Sequence, residues 1–331
     1  MSGLWPGRTK CVVMLTFDMD GASGLLRREP SIAKRPSVMS MGDFGPEVGA
    51  PRMLDLLGRY GVPSTWFVPG WVAERQPGAV EAVLKAGHEV AHHGYLHEAP
   101  ATLASRAEEA SLLDRGSRAL ESVTGRKTLG YRSPAWDVSE HTLGLIAERG
   151  FVYDSSLMGH DLPYFVDVKT GRMTGAQQKA TVGRSSAFHP HPDPLRERVR
   201  EGKGRGAAAK GRTRQDATLV EIPVHWSLDD APYYPFNPAV GRTSTLSSPQ
   251  AALETWLWEF DMAYEDGGAF ILTMHPYISG HWSRLNGLDR LVRHIKERPG
   301  VKFMRCLDVA QGWTEGGLQP HAATGPRRSR S

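Results

Sequence analysis

Four histidines fall within the segment H-E-V-A-H-H-G-Y-L-H-E, which runs from His88 to Glu98. The last two, His93 and His97, are four residues apart, and this spacing places two side chains on the same face of a helical turn. Two imidazoles on one face can bind a single metal ion. We therefore expect His93 and His97 to be two ligands of a metal site whose carboxylate ligand comes from elsewhere in the chain.

A pair of carboxylates stands much earlier in the sequence, in L-T-F-D-M-D. Here a short apolar run ends in Asp18 and Asp20, which are separated by one residue. A buried strand that ends at this point would place both carboxylates at one edge of a sheet. One of them could complete an Asp-His-His metal site, and the other would stay free for proton transfer.

The rest of the chain alternates between strand-like and helix-like patterns, which predicts an α/β fold with a parallel sheet, open or closed as a barrel. The predicted strands are Cys11–Phe17, Pro63–Pro69, Glu89–Ala91, Leu129–Arg132, Phe151–Tyr153, Leu219–Val224, Ala269–Met274 and Val301–Arg305. The predicted helices are Val48–Tyr60, Pro77–Ala86, Thr102–Thr124, Ser139–Arg149, Pro249–Asp266 and Leu285–Arg298. The stretch Asp18–Pro46 is rich in glycine, serine and proline, and we expect it to be a long loop.

Ionisable side chains directly follow several of the predicted strands. They are Asp18 and Asp20, His93 and His97, Arg132 and His275. In a β/α barrel the carboxyl ends of the strands share one face, and active sites lie there. Core packing alone does not account for ionisable groups on several independent strands, so the pattern predicts an active site.

Composition indicates a globular protein with one main domain. The chain has 331 residues, 40% hydrophobic content and a net charge of +4. We expect an extension over residues 1–10, a barrel over 11–313 with a flexible basic insertion at 169–216, and a disordered basic tail over 314–331. The basic runs lack interleaved aromatic residues, so nucleic-acid binding is not favoured.

The two cysteines and the amino terminus bear on the compartment. Cys11 and Cys306 lie in apolar runs, and we expect both to be buried thiols rather than a disulfide. The first residues lack the apolar region of a signal peptide, and no stretch has the length of a membrane helix. We therefore expect a cytoplasmic protein that is not inserted in a membrane.

The ordered motifs T-F-D-M-D, H-G-Y-L-H, G-Y-R-S-P-A-W and L-T-M-H-P resemble those of the polysaccharide deacetylase family, also called the NodB homology family or carbohydrate esterase family 4. The resemblance covers residues 12–309. It implies a distorted (β/α)7 TIM-like barrel and one divalent metal ion, usually Zn²⁺, with Co²⁺, Ni²⁺ or Mn²⁺ as alternatives. The sequence is similar to one branch in particular, which contains peptidoglycan deacetylase-like proteins, cyclic imide hydrolases and the metal-independent type of allantoinase.

The resemblance also implies a role for each matching residue. Asp20, His93 and His97 match the metal ligands, and Asp18 matches the catalytic base. Arg132 matches the arginine that orients the base, and His275 matches the catalytic acid. The carboxylate that supports this acid corresponds to Asp229 or Asp230, and both stay open at this point. The residues expected to contact substrate are Trp136, Trp226 and Tyr95.

Together these features predict a metal-dependent hydrolase of amide C–N bonds other than peptide bonds. An N-acetylated sugar is the substrate that the family implies. A cyclic imide or ureide is the alternative, because no export signal is visible and the branch contains allantoinases, some of them metal-independent. The rival from another class is a carbohydrate-binding barrel without turnover. The similar proteins are oligomers, so we also expect a homo-oligomer.

Overall fold

The computed structural model of the protein describes residues 4–174, 218–234 and 237–314. Within these residues, nine strands form one sheet. The strands are β1 (Cys11–Asp18), β2 (Thr65–Val68), β3 (Glu89–His92), β4 (Gly130–Tyr131), β5 (Tyr153–Asp154), β6 (Tyr164–Asp167), β7 (Thr218–Glu221), β8 (Ala269–Met274) and β9 (Val301–Phe303). All of them except β6 lie close to strands predicted from the sequence.

The strand order is β6-β7-β5-β4-β3-β2-β1-β8, and β9 pairs with β1. Neighbouring strands are parallel, except that β6 is antiparallel to β7. Between β7 and β8 in the sequence, Asp229 forms an isolated parallel bridge with Thr273 of β8. The predicted α/β barrel is therefore confirmed, as a curled half-barrel sheet in a single domain.

The longest strand pairing joins β1 to β8 over six positions, from Val12 opposite Ala269 to Phe17 opposite Met274. Every residue of both strands is buried. Strands covered by helices on both faces have this continuous apolar character. The Phe17 ring also stacks on Trp66 of β2, with 4.5 Å between ring centroids. Apolar packing therefore fixes the position of β1, whose carboxyl end carries the first aspartate.

Eleven α-helices are described, and most of them surround the sheet. They are α1 (Ser23–Arg28), α2 (Pro36–Phe44), α3 (Ala50–Tyr60), α4 (Gly70–Arg75), α5 (Pro77–Lys85), α6 (Arg106–Thr124), α7 (Thr142–Glu148), α8 (Pro249–Asp266), α9 (Pro276–Ser279), α10 (Trp282–Lys296) and α11 (Cys306–Thr314). Helix α8 begins where the sequence predicted, because the Ser248 side chain accepts a hydrogen bond from the Gln250 N–H. In the described part of the chain, no helix has the length and apolar content needed to span a membrane.

Three predicted helix starts are wrong, and one of them is that of α10, which begins at Trp282 rather than at Leu285. Helix α6 begins after Ser105, whose hydroxyl accepts a hydrogen bond from the Glu108 N–H, rather than at Thr102. Helix α7 begins at Thr142 instead of following Ser139 directly. The Ser139 hydroxyl donates to Glu109 at 2.6 Å, so this serine joins α7 to α6.

The prediction of a long loop over residues 18–46 is also wrong. This stretch contains α1 and α2, with a 3₁₀ turn at Pro30–Lys34 between them. The buried side chains of Leu25, Ile32 and Val38 form a small apolar cluster of their own. These three residues are separated by glycine, serine, proline and charged residues, so the apolar pattern is weak in the sequence.

The first described residues pack against the last described helix. Leu4 and Trp5, within the predicted extension, are buried in the same cluster as Trp313 of α11. The Trp5 indole N–H donates to the Gly268 carbonyl at 2.8 Å. Leu4 and Trp5 of the extension therefore belong to the part of the core that the last described helix covers.

Little of the predicted insertion falls within the described residues. Residues 169–174 form a turn after β6 that brings Met173 into an antiparallel bridge with Val166. The remainder of 169–216 lies outside the described residues, as does the predicted tail beyond Thr314. Cys11 and Cys306 are buried free thiols, as predicted.

Candidate active site

The two aspartates lie at the carboxyl end of β1. Asp18 is its last residue, and the intervening Met19 packs in the main apolar core. Because side chains alternate along an extended chain, Asp18 and Asp20 face the opposite way. The Asp20 carbonyl accepts hydrogen bonds from the N–H and the hydroxyl of Ser23, and these begin α1. Both aspartates are buried, with 1% and 5% exposure.

The histidines come from an irregular loop after β3, so the predicted helical turn is wrong. His93 follows the strand directly, and its Nδ1–H donates to the Arg132 carbonyl at 2.8 Å, which leaves Nε2 facing the aspartates. His97 has a φ of 61°, a left-handed conformation. The Glu98 carboxylate accepts the N–H groups of Tyr95 and Leu96. These two bonds hold the loop in the shape that delivers the His97 ring.

Asp20, His93 and His97 nevertheless converge as predicted. The Asp20 Oδ1 lies 3.4 Å from His93 Nε2, and its Oδ2 lies 3.4 Å from His97 Nε2. Burial opposes ionisation of Asp20, but the nearby His97, His275 and His93 outweigh it and lower the pKa of the carboxyl. The group is therefore a carboxylate at neutral pH.

The donor set fits a metal ion. Asp20 Oδ1 and His93 Nε2 are buried polar atoms without a hydrogen-bond partner in the described part of the protein. Such atoms are costly to bury unless a water or an ion satisfies them. One ligand atom from each of Asp20, His93 and His97 lies within 4.8 Å of the other two. Two imidazoles with one carboxylate are ligands typical of catalytic zinc sites.

Arg132, just after β4, is fully buried and contacts the second aspartate. Its Nη1 donates to Asp18 Oδ1 at 2.7 Å and to the Thr16 hydroxyl at 3.0 Å. Its Nε and Nη2 donate to the carbonyl and the hydroxyl of Ser155. The guanidinium is also 4.0 Å from the centroid of the Phe67 ring. Arg132 therefore binds one oxygen of Asp18 and leaves Oδ2 directed at the histidines.

His275 follows β8 and faces the same space. Its Nδ1–H donates to Asp230 Oδ1 at 2.6 Å, and its backbone N–H donates to Asp230 Oδ2 at 2.9 Å. The Ser279 hydroxyl donates to Asp230 Oδ2 as well. The His275 Nε2 is 4.0 Å from Asp18 Oδ2 and 3.8 Å from Asp20 Oδ2. Of the two carboxylates left open by the sequence, Asp230 makes the hydrogen bonds to His275.

The charge on His275 follows from these neighbours. Burial disfavours the imidazolium, but the Asp230 and Asp229 carboxylates outweigh it and hold the pKa of His275 well above its usual value. Burial also raises the pKa of Asp229 to about 7, with His275 opposing this shift and Asp230 adding to it. A protonated His275 can donate a proton from Nε2 at neutral pH.

Asp229, Asp230 and His275 also form a group that could hold a metal ion. Hydrogen bonds already satisfy much of this group, since Asp230 accepts from His275 and Ser279 and Asp229 accepts from the Ala231 N–H. Of the two groups, Asp20, His93 and His97 therefore fit a metal ion better, because they include buried atoms without a hydrogen-bond partner among the described residues.

The predicted substrate residues divide into two kinds. Trp136 and Trp226 are packed together, with 4.5 Å between ring centroids, and Trp226 is 46% exposed. Trp136 has a φ of 54°, which is unusual for a large side chain. The Tyr95 side chain is not brought to the site: its hydroxyl donates to Glu74 and Arg115 lies over its ring. These contacts account for Tyr95 as a packing residue, so its predicted substrate contact is not supported.

Several residues that shape the site were not predicted. Thr16 and Ser155 hold Arg132, Ser279 holds Asp230, and Glu98 holds the histidine loop. Serine and threonine are common in loops for other reasons, so their types alone do not indicate these roles. Ser155 lies just after a predicted strand, and this position could have indicated that it lies near the site.

Comparisons with known proteins identify the family of this chain. The family model described as "Polysaccharide deacetylase" matches residues 31–153. The peptidoglycan deacetylase of Helicobacter pylori is 32% identical over 302 residues, which cover 90% of this chain and 94% of that protein. A peptidoglycan deacetylase-like protein of Gibberella zeae is 28% identical, with 93% and 88% covered.

Solved structures give the same result for the fold. A Mycobacterium smegmatis protein titled as a polysaccharide deacetylase matches with a TM-score of 0.77 and 35% identity, covering 97% of this chain and 96% of that one. The Puue allantoinase matches with a TM-score of 0.68 over the same shares at 20% identity, which is evidence for the fold alone.

The chain belongs to the polysaccharide deacetylase family. It is a hydrolase of the polysaccharide and peptidoglycan deacetylase type, acting on C–N bonds other than peptide bonds.

Proposed function

We propose that the protein is a metal-dependent deacetylase that removes acetyl groups from N-acetylated amino sugars. The observation that carries this proposal is the position of Asp18. Its Oδ2 lies 3.8 Å from His93 Nε2 and 4.0 Å from His275 Nε2, between a proposed metal ligand and the proposed acid. Amide hydrolysis requires a base, an electrophile and an acid around one reacting centre, and the three groups surround one space.

The first half of the reaction needs an activated water. A divalent metal ion bound by Asp20, His93 and His97 would supply Lewis acidity to the water and to the acyl oxygen. Asp18 accepts the proton of the water through Oδ2, because Arg132 occupies its Oδ1. Arg132 also holds the carboxylate in one orientation, which keeps the accepting oxygen in place.

The second half needs a proton for the leaving nitrogen, because an amine anion is a poor leaving group. His275 donates this proton from Nε2, since its Nδ1–H is bonded to Asp230. Asp230 fixes the ring orientation and stabilises the positive charge. A binding barrel without turnover would have no evident need for both a free base and a separate acid.

The choice of an N-acetylated amino sugar is supported by the Helicobacter pylori relative, a peptidoglycan deacetylase matched over nearly its whole length. The allantoinase likeness is at the level of the fold. The stacked Trp136 and Trp226 provide an aromatic surface of the kind on which sugar rings pack. The cytoplasmic location and the homo-oligomer expected from the sequence stay predictions.

The test combines metal analysis with a substrate comparison. Purified protein is stripped of metal, reloaded with Zn²⁺, Co²⁺, Ni²⁺ or Mn²⁺, and assayed for acetate release from N-acetylglucosamine oligomers and peptidoglycan. Cyclic imides and allantoin are assayed in parallel. We expect metal-dependent acetate release and no turnover of the cyclic amides. Turnover of cyclic amides alone, or full activity in metal-free protein, would contradict the proposal and favour an allantoinase-like enzyme.

The ligand assignment is tested in the same preparation. His93→Ala and His97→Ala should each lose bound metal, because two protein ligands rarely hold a catalytic ion. His294→Ala is the matched control, since His294 bonds to Asp261 at 2.8 Å on a different part of the surface. Full metal retention in both ligand variants would exclude these residues as ligands.

A further inference from the structure

A second pair of acidic residues is buried beside the site but makes no contact with the metal ligands in any described interaction. Asp154 ends β5 and Glu221 ends β7, and the two residues are directly opposite each other in the parallel pairing of these strands. Both have 0% exposure. Neither forms a salt bridge to a lysine or arginine within the described residues. Two like charges in such a position would be strongly unfavourable.

Each carboxyl of the pair has one oxygen without a hydrogen-bond donor among the described residues. These oxygens, Asp154 Oδ2 and Glu221 Oε2, are buried and accept no hydrogen bond from an N–H or hydroxyl donor in the described part of the chain. The two carboxyls lie within hydrogen-bonding reach of each other, so one proton between them would satisfy both of these oxygens. We propose that Asp154 and Glu221 share one proton and together act as a positioning element for Arg132, the residue that orients the proposed base.

The remaining oxygens of the pair hold the loop that follows β5. Glu221 Oε1 accepts the N–H groups of Ser156 and Leu157, at 2.9 Å and 2.8 Å. Asp154 Oδ1 accepts the Ser156 hydroxyl at 2.7 Å, and the Ser156 oxygen accepts the Ser133 N–H at 2.9 Å. The pair thus fixes the residue after Arg132 as well as the loop at 155–157.

This loop accepts two of the four hydrogen bonds that the Arg132 side chain donates. Arg132 donates to the Ser155 carbonyl at 3.1 Å and to the Ser155 hydroxyl at 2.9 Å. Its Nη1 is then directed to Asp18 Oδ1, and its own carbonyl accepts the His93 Nδ1–H. The acidic pair therefore acts on the base and on one ligand through Arg132.

Protonation of the pair has a physical cause in burial. Burial raises the pKa of Asp154 to about 6, opposed by its hydrogen bonds to Glu221 and Ser156. Burial and the neighbouring Asp154 raise the pKa of Glu221 well above its usual value. The other titratable or charged groups that face the pair are Arg132, Tyr131 and Tyr164, and both tyrosines stay neutral because burial raises their pKa.

The inference rests on the proposed function, so its test uses matched variants of Glu221. Glu221→Gln keeps an oxygen for the Ser156 and Leu157 N–H groups, and its amide N–H replaces the shared proton. Glu221→Leu has similar volume but removes both contacts. Glu89→Leu is the control, because Glu89 is also a buried, hydrogen-bonded carboxyl but lies at the opposite end of β3 from the histidines.

We expect Glu221→Leu to lower kcat about 10- to 100-fold at unchanged metal content, as for the loss of one or two buried hydrogen bonds to charged groups. Glu221→Gln should retain the wild-type kcat within about threefold, and so should the folded fraction of Glu89→Leu. The double variant Asp154→Asn/Glu221→Gln should lose more kcat than the two single variants together. Two facing amide NH₂ groups would both be donors, so no hydrogen bond could form between them. Equal losses of kcat in Glu221→Leu and Glu89→Leu would overturn the positioning role.

A second measurement judges the shared proton without any assay of activity. In the unfolded chain both carboxyls titrate near their usual values of about 4. The folded wild type keeps a proton to higher pH, so its stability falls as pH rises from about 4 through the raised pKa values. In Glu221→Gln this decline should shrink, and the difference in Tm between variant and wild type should shift in favour of the variant from pH 5 to pH 8. If the Tm of the variant and that of the wild type changed with pH in parallel, the shared proton would be excluded. If the Tm difference shifted as expected but the wild type released no acetate, only the proposed function would be excluded.

Discussion

The two sides of the site are held in place by different means. On one side, β1 and β8 pair over six positions and carry Asp18 and His275 at their ends. On the other side, β4 and β5 pair over only two positions, and Arg132 is positioned by four hydrogen bonds from its side chain. Extensive pairing lets the sheet set the position of a catalytic group. Where pairing is short, side-chain hydrogen bonds replace it, and those bonds are the vulnerable part.

The largest expected effect is on the well-paired side. Asp18→Asn should lower kcat by about 10²- to 10⁴-fold, because the amide cannot accept a proton from water. The fold and the bound metal should be retained, since Asp18 is not one of the proposed ligands. Steady-state rates with metal analysis test this. A loss below about tenfold, measured where chemistry limits the rate, would exclude Asp18 as the base.

A smaller effect is expected on the hydrogen-bonded side. Arg132→Lys keeps the charge but cannot reach Asp18 and Ser155 together, because lysine has a single ammonium group. We expect kcat to fall about 10- to 100-fold, corresponding to about 1.5–3 kcal/mol for a lost hydrogen bond to a charged group. The measurement is kcat at saturating metal. A variant with wild-type kcat would show that charge alone, without the fork of hydrogen bonds, orients the base.

Leu272→Ala on the well-paired side should lose more stability, and Ser155→Ala on the hydrogen-bonded side should lose more kcat. Leu272→Ala removes a fully buried side chain from β8 and should cost about 2–5 kcal/mol of unfolding free energy. Ser155→Ala removes one hydroxyl and should cost about 1–3 kcal/mol while lowering kcat more than Leu272→Ala does. Chemical denaturation and rate measurements on both variants test the contrast. If both variants lost stability and rate in the same proportion, the division between the two sides would be wrong.

The smallest effect concerns the half-exposed aromatic surface. Trp226→Ala should raise KM about two- to tenfold, from the loss of about 0.5–1.5 kcal/mol of ring packing. The fold should not change, because this side chain is partly exposed. Trp258→Ala on α8 is the control, since Trp258 is more exposed and lies on a surface helix. A KM equal to that of the control would remove Trp226 from the substrate surface.

The same division explains how far the sequence alone could predict the structure. The runs that became β1 and β8 are long and apolar, and their predicted bounds agree with the structure within one residue. The residues at their ends, Asp18 and His275, were correctly placed at one edge of the sheet. The strands β4 and β5 have only two residues each, too few for a periodic pattern. The run predicted for β4 extends one residue beyond it at each end, and the run predicted for β5 begins two residues early.

The remaining differences have local causes. Periodicity suggested a helical turn at His93–His97, but Gly94 and His97 adopt left-handed conformations that end regular structure. A Cβ on Gly94 would lie 2.9 Å from the Pro134 ring, so glycine is required at this position for two reasons. The contacts of Ser155 with Arg132, and of Glu221 with Ser156 and Leu157, are long-range in sequence and depend on strand order, which residue patterns do not reveal.

The packing of Trp5 against Trp313, with 5.9 Å between ring centroids, brings the first and last described segments together. Proximity of this kind is the condition for circular permutation, because a short linker then closes the chain at a small entropic cost. The exposed turn at Gly125 and Arg126, between α6 and β4, is a suitable place for new ends. A permuted chain opened there would keep the order of its strands in space while changing their order in synthesis.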